Sequence, residues 1–262
     1  MTVAGILHPG EMGAAFGAVL SDAGHSVLWL STDRSEATRA RAAAGGLEDA
    51  GSLAALAERC DVIFSICPPH AALDLARALP PFTGVFVDAN AIAPETARRI
   101  GKTVTARGAS FVDGSIVGSP PTSAEPRLFL AGADVAQVAA LFAGTPVQPR
   151  VLAGPPGDAS AVKCAFAGWT KGSGALLLAI RAFARAEGVE ASLLEEWAVS
   201  LPELEPRSDA AQRSAAAKGW RWTGEMEEIA SAFEAQGLPR GFHEAAGEIF
   251  RRPPGGHEWS DR

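Results

Sequence analysis

A chain of 262 residues with 47% hydrophobic content has the material for packed cores, and a net charge of −7 lacks the basic surplus of a nucleic-acid-binding protein. Its three cysteines, Cys60, Cys67 and Cys164, have no metal-ligand spacing, so free thiols, no bound metal and a reducing, cytoplasmic setting are expected. No stretch approaches ~20 uninterrupted apolar residues, and the opening Met1-Thr2-Val3-Ala4-Gly5 lacks the features of a secretory signal, so no membrane partner is expected.

Residues 3–8 predict a short buried strand, Pro9 to Gly13 a turn, 13–22 a helix of small and apolar residues, and 26–30 a second strand. Together they form a β-α-β unit. Helical patterns over 35–44 and 51–58 precede a strand over 61–66, and one over 70–79 precedes a strand over 85–88. A helix over 94–106 precedes a strand over 110–113. A strand over 127–131, a helix over 134–143 and a strand over 146–152 follow. This alternation predicts an α/β fold of Rossmann type, a doubly wound parallel sheet covered on both faces. Beyond Gly154-Pro155-Pro156-Gly157 every segment predicts helix: 158–187, 192–200, 207–217, 222–236 and 241–251. The predicted organisation is therefore a dinucleotide-binding domain over 1–153 and an all-α domain over 154–262, with a disordered tail from about Arg252.

The N-terminal turn carries the first functional signal. A phosphate at a helix start is held by backbone N–H groups and the positive end of the helix dipole, and glycines permit the close approach. Gly10 and Gly13 supply the second and third glycines of a G-x-G-x-x-G spacing, while His8 stands where the first should be. His8, Pro9, Gly10, Glu11 and Met12 are the candidate cofactor-binding turn, and the His8 side chain is expected beside the phosphates. At the end of the second strand an acidic residue binds the ribose of NAD, whereas arginine accommodates the 2′-phosphate of NADP. Here the chain reads Ser31-Thr32-Asp33-Arg34, with Arg39 a turn later, so NADP is favoured through Ser31, Thr32 and Arg34. Asp33 leaves NAD open, and a helix cap at Ser31 or Thr32 is the alternative without a ligand. The absence of tyrosine excludes a Tyr-x-x-x-Lys proton donor.

Four segments in order resemble the β-hydroxyacid dehydrogenase family, which includes 3-hydroxyisobutyrate dehydrogenase and, more distantly, 6-phosphogluconate dehydrogenase and the imine reductases. Gly5 to Gly13 followed by Ala23-Gly24-His25-Ser26-Val27 is similar to its opening, most of all to a divergent branch with His-Pro-Gly-Glu-Met-Gly at the turn. Asp88-Ala89-Asn90-Ala91-Ile92-Ala93-Pro94 is similar to a segment near the nicotinamide, and Asp113 to Ser119 to the substrate loop. Gly154 to Lys163 is similar to the stretch bearing the catalytic lysine.

The resemblance implies that Lys163 is the general acid/base of hydride transfer to or from a small hydroxy acid. It implies a cofactor contact from Asn90, substrate contacts from Ser115, Val117, Gly118, Ser119 and Ala167, substrate between domains or subunits, and a homodimer. Cys67 and Pro68, after the strand over 61–66, are further candidate cofactor contacts, with Cys67 a small apolar residue at a strand end as the alternative. Two departures stand out: the substrate-loop serine is Val117, and the asparagine four residues after the lysine is Ala167. They motivate an alternative, NADPH-dependent C=N reduction; a non-catalytic nucleotide-binding protein is a further one. Thr170 lies seven residues after Lys163, hence on the same helical face, and is the candidate assisting group. Trp169, Trp220, Trp222, Phe242 and His243 are candidates to complete a cleft from the helical domain.

Overall fold

The computed structural model describes residues 1–252 and separates the chain into two compact units that divide between Lys163 and Cys164. The first unit alternates strands and helices: β1 (Val3–Ile6), α1 (Glu11–Asp22), β2 (Ser26–Trp29), α2 (Glu36–Ala44), β3 (Glu48–Asp49), α3 (Leu53–Arg59), β4 (Val62–Ser65) and α4 (Pro69–Ala78). It continues with β5 (Val85–Asp88), α5 (Pro94–Thr105), β6 (Ser110–Val117), β7 (Arg127–Gly132), α6 (Val135–Ala140) and β8 (Gln148–Val151). The strands form one sheet in the order β3-β2-β1-β4-β5-β6-β7-β8, parallel throughout except for the β6–β7 pair. Successive side chains point to opposite faces, and both faces are buried. Val62, Phe64, Val85 and Val87 join one core, and Ile63 and Phe86 the other. The Rossmann-type expectation is met, and the near-continuous apolar strands are its physical cause.

Three local expectations are corrected. The segment expected to be a loop after Asp113 is strand, because Val112 to Val117 pair with β7 and have their backbone bonded in the ladder; the chain emerges only at Gly118. The two-residue β3, too short to carry a periodic signal, pairs with β2 through Leu28 and Trp29. The helix cap near the end of β2 is neither Ser31 nor Thr32 but Ser35, whose hydroxyl accepts from Thr38 N.

Among the described residues the second unit is helical: most of α7 (Asp158–Ala186), then α8 (Glu190–Ser200), α9 (Leu204–Glu234) and α10 (Gly241–Arg251). Two helices were expected where α9 runs unbroken. Gly219, in the gap between the two predicted helices, is a buried packing position, where an added Cβ would lie 3.5 Å from Phe250 O of α10. Trp222 meets Phe250 edge-on at 4.9 Å, and Arg181 ties α7 to α8 and α9 through Glu190 at 2.8 Å and Asp209 at 2.7 Å. The first unit includes the opening turns of α7, which are bonded to β6, as described below. The predicted tail beyond Arg252 lies outside the described residues. Among those residues no helix is long and apolar enough to cross a membrane.

Candidate cofactor and catalytic site

The chain leaves β1 for β2 on one side of the sheet, while β4 lies on the other side of β1. Such an order reversal opens a crevice at the carboxyl ends of the strands, and the turn from His8 to Gly13 lies there. Gly13 is a steric requirement, since a Cβ would stand 2.2 Å from His8 O. At Gly10 an added Cβ would meet nothing within 4 Å, which is the open backbone that a phosphate needs. Gly10 is also the N-cap of α1, and no side chain caps that helix. Pro9 is buried, Met12 packs against the sheet core and Glu11 is exposed.

His8 and Arg34 come together from 26 residues apart: Arg34 Nη1 lies 3.1 Å from His8 Nε2, and Nη2 donates to Leu7 O at 3.4 Å. Arginine only donates, so Nε2 accepts and the imidazole proton sits on Nδ1. Burial, then the Arg34 charge, lowers the His8 pKa from 6.5 to about 4, so the ring is neutral at pH 7. His8 Nδ1 and Arg34 Nε are both buried without a hydrogen-bond partner. Two donors without acceptors beside an open glycine turn fit an anionic group, so the residues present suit a dinucleotide phosphate.

Elsewhere on the β2 tip the side chains are engaged internally. The Ser31 hydroxyl bonds Asp49, whose pKa is lowered first by that bond and then by Gly51 N–H. Arg39 Nη2 donates to Ser31 O at 2.9 Å, and Thr32 is exposed. Asn90 joins the ends of β4 and β5. Its Oδ1 accepts from Cys67 N at 2.5 Å, and its Nδ2 donates to Ser65 Oγ at 3.0 Å and Asp88 Oδ2 at 2.9 Å. Both amide donors of Asn90 are therefore committed to shaping this edge. Burial, the largest cause, raises the Cys67 thiol to about 12, so it is no nucleophile; Pro68 beside it is exposed.

At the far side of the same sheet Asp113 binds the start of α7. Its carboxylate accepts from Gly157 N at 2.8 Å, Ser160 N at 3.1 Å and Ser160 Oγ at 2.6 Å. Burial raises the Asp113 pKa, with those hydrogen bonds pulling the other way. One turn on, Lys163 Nζ donates to Ile116 O at 2.7 Å, which holds the ammonium on the end of β6. Ser115 and Val117, expected in a substrate loop, are buried in β6, and Ser115 Oγ has no partner, whereas Gly118 and Ser119 are exposed. Nothing local in the sequence marks the task of Asp113, because its partners lie 44 and 47 residues away.

The remaining candidates belong to the second unit. Ala167 packs in its core, and Thr170 is exposed with its hydroxyl donating to Phe166 O at 3.1 Å. The aromatic residues expected in a cleft do not act alike: Trp169, Trp220 and Phe242 are exposed, whereas Trp222 packs on Phe250. His243 is buried against Phe233 at 4.3 Å, with its Nδ1 unpartnered and its pKa lowered by burial. Lys171 pairs with Glu225.

A mainly parallel sheet with an uncapped glycine turn at the order reversal is the arrangement of a Rossmann-type nucleotide-binding domain. A family model of the NAD binding domain of 6-phosphogluconate dehydrogenase matches residues 4–142, more than half of the chain, and a domain of unknown function (DUF1932) matches residues 184–252. The chain belongs to the β-hydroxyacid dehydrogenase family and carries an NAD-binding, dehydrogenase-like fold. Among solved structures it is similar to a conserved protein of unknown function described as structurally similar to 3-hydroxyacid dehydrogenases. That match has 26% identity over 95% of both chains and a TM-score of 0.73. At the level of fold it is similar to Mycobacterium tuberculosis 3-hydroxyisobutyrate dehydrogenase, at 21% identity over 96% of this chain and 93% of that one (TM-score 0.71). The fold is likewise similar to a reductive aminase from Aspergillus terreus bound to NADPH, at 21% identity over 96% and 93% (TM-score 0.62).

Proposed function

We propose that this chain is an NADP-dependent oxidoreductase that transfers a hydride between the nicotinamide and a small hydroxy acid or its carbonyl form. The cofactor would be held at its phosphates by the turn from His8 to Met12, at its adenosine ribose by Thr32 and Arg34 on a β2 tip that Ser31 braces, and near the nicotinamide by the edge of Cys67 and Pro68 that Asn90 shapes. When bound, it supplies or accepts the hydride. Hydride arrival at a carbonyl carbon leaves charge on oxygen, which a positioned acid must neutralise. Lys163 is that acid in reduction, and its neutral amine takes the proton in oxidation. The observation that carries this reading is the anchored ammonium, held 2.7 Å from Ile116 O on a helix start clamped by Asp113. Exposed Gly118 and Ser119 follow on the same strand end and offer substrate contacts.

The direct test uses NADPH deuterated at the transferring position with a panel of aldehydes, keto acids and preformed imines. Deuterium in a hydroxy acid product is expected. Transfer confined to amine products would replace the carbonyl by C=N, a second reading favoured by the apolar, buried Val117 and Ala167. Binding of NADPH or NADH without transfer to any member would leave a nucleotide-binding protein without turnover.

The same reading includes a homodimer. On α7 the exposed apolar residues Phe166, Trp169, Leu176 and Phe183 recur at intervals of three, seven and seven, the spacing of a helix–helix seam. Light scattering is expected to give twice the chain mass, and the pair Trp169→Asp and Phe183→Asp to give the monomer. A monomeric parent protein at micromolar concentration would refute the dimer.

A further inference from the structure

We propose that His8 sets the choice between NADPH and NADH without touching the 2′-phosphate, by holding Arg34 in the pose that receives it. This rests on the assignment of Arg34 to the 2′-phosphate made above. Dinucleotide turns of this spacing have glycine at the first position, where the side chain is absent and the following strand tip acts alone. Here the position is filled, and its ring reaches across to β2: His8 Nε2 accepts from Arg34 Nη1 at 3.1 Å, while Leu7 O receives Nη2 at 3.4 Å. Both ends of the guanidinium fork are thus anchored to the residues that build the phosphate turn.

Anchoring has a definite consequence. A free arginine loses most of its rotamer freedom when it grips a phosphate, and a pre-held one has already lost it. Each Nη retains a second N–H, and the buried Nε–H has no acceptor in the protein. Three donors therefore remain for a dianion. An imidazole that is neutral at pH 7 is suited to the task, because a protonated ring would repel the guanidinium. NADH, which carries a 2′-hydroxyl in place of the phosphate, has little use for the pre-held fork, so the device acts on the ratio of the two affinities.

The test is equilibrium binding of NADPH and of NADH, followed by nucleotide fluorescence, for the parent protein and for Arg34→Ala, His8→Gly, His8→Gln and the double variant His8→Gly with Arg34→Ala. His8→Gly restores the residue that the motif has at this position, so the turn tolerates it, and thermal melts monitor folding. Arg34→Ala is expected to lower the NADPH-to-NADH affinity ratio by about tenfold or more. His8→Gly is expected to lower it in the same direction by about threefold to tenfold, and His8→Gln, which keeps an acceptor, to restore part of it. The double variant should show no greater loss than Arg34→Ala alone. Equal weakening of both cofactors by His8→Gly, or an unchanged ratio, would overturn the role of His8 while leaving the NADP assignment intact. An unchanged ratio in Arg34→Ala would overturn the assignment itself, and this inference with it.

Discussion

Lys163→Met is expected to lower kcat/KM by about 10²–10⁴-fold, the usual range for loss of a general acid or base. The change keeps the length and apolar stem of the side chain and removes only the ammonium that donates to Ile116 O at 2.7 Å. Affinity for NADPH should change by less than about threefold, since β4 and β5 separate β1, which leads into the phosphate turn, from β6. Lys163→Arg separates two tasks. It keeps a cation and donors but cannot deprotonate in the working range, so it can neither give the proton in reduction nor take it in oxidation, and kcat/KM should fall in both directions, with only the part due to charge retained. Steady-state kinetics in both directions, beside cofactor titration, checks this. Full turnover in Lys163→Met would show that the lysine only ties α7 to β6.

The second large effect is expected at Asp113. Asp113→Ala leaves Gly157 N, Ser160 N and Ser160 Oγ without their acceptor at a buried helix start. Each orphaned donor costs about 1–3 kcal/mol, partly offset because the buried carboxylate no longer has to be desolvated. A net loss of about 2–4 kcal/mol follows, which for a protein of this size lowers Tm by roughly 5–15 °C. Turnover should fall too, because the carboxylate fixes the turn that carries Lys163, and a displacement near 1 Å is worth about 10²-fold. Differential scanning calorimetry with kinetics below the transition measures both. An unchanged Tm would mean that α7 does not depend on this clamp.

Much of the fold is legible in local pattern. Runs such as Val62 to Ser65 and Val85 to Asp88 are buried on both faces, and their apolar continuity announces a parallel sheet before any pairing is known. Gly10 and Gly13 mark the turn for the same local reason, one by its open approach and the other by the 2.2 Å that a Cβ would leave to His8 O. What misled was partly the resemblance, which makes the stretch after Asp113 a substrate loop, yet β7 pairs with it through Val117. Gly219 falls in the gap left between the predicted helices 207–217 and 222–236, yet it is where α10 packs on α9. Glycine has one local meaning and several tertiary ones.

The glycine turn near the start of the chain was legible from the residues alone, because it is defined by neighbours within a dozen positions, whereas Lys163 was singled out by the resemblance of Gly154 to Lys163 to the family's lysine-bearing stretch. The sequence also established that the first glycine of the motif is missing. It could not establish what His8 does there, because Arg34 is 26 residues away and meets it only when β1 and β2 lie side by side. Likewise Asp113 acquires its role from Gly157 and Ser160, brought to it by the return of the chain after β8. Short-range steric and periodic demands are written in consecutive residues. Hydrogen bonds between groups tens of residues apart depend on strand order, and only the folded sheet decided them.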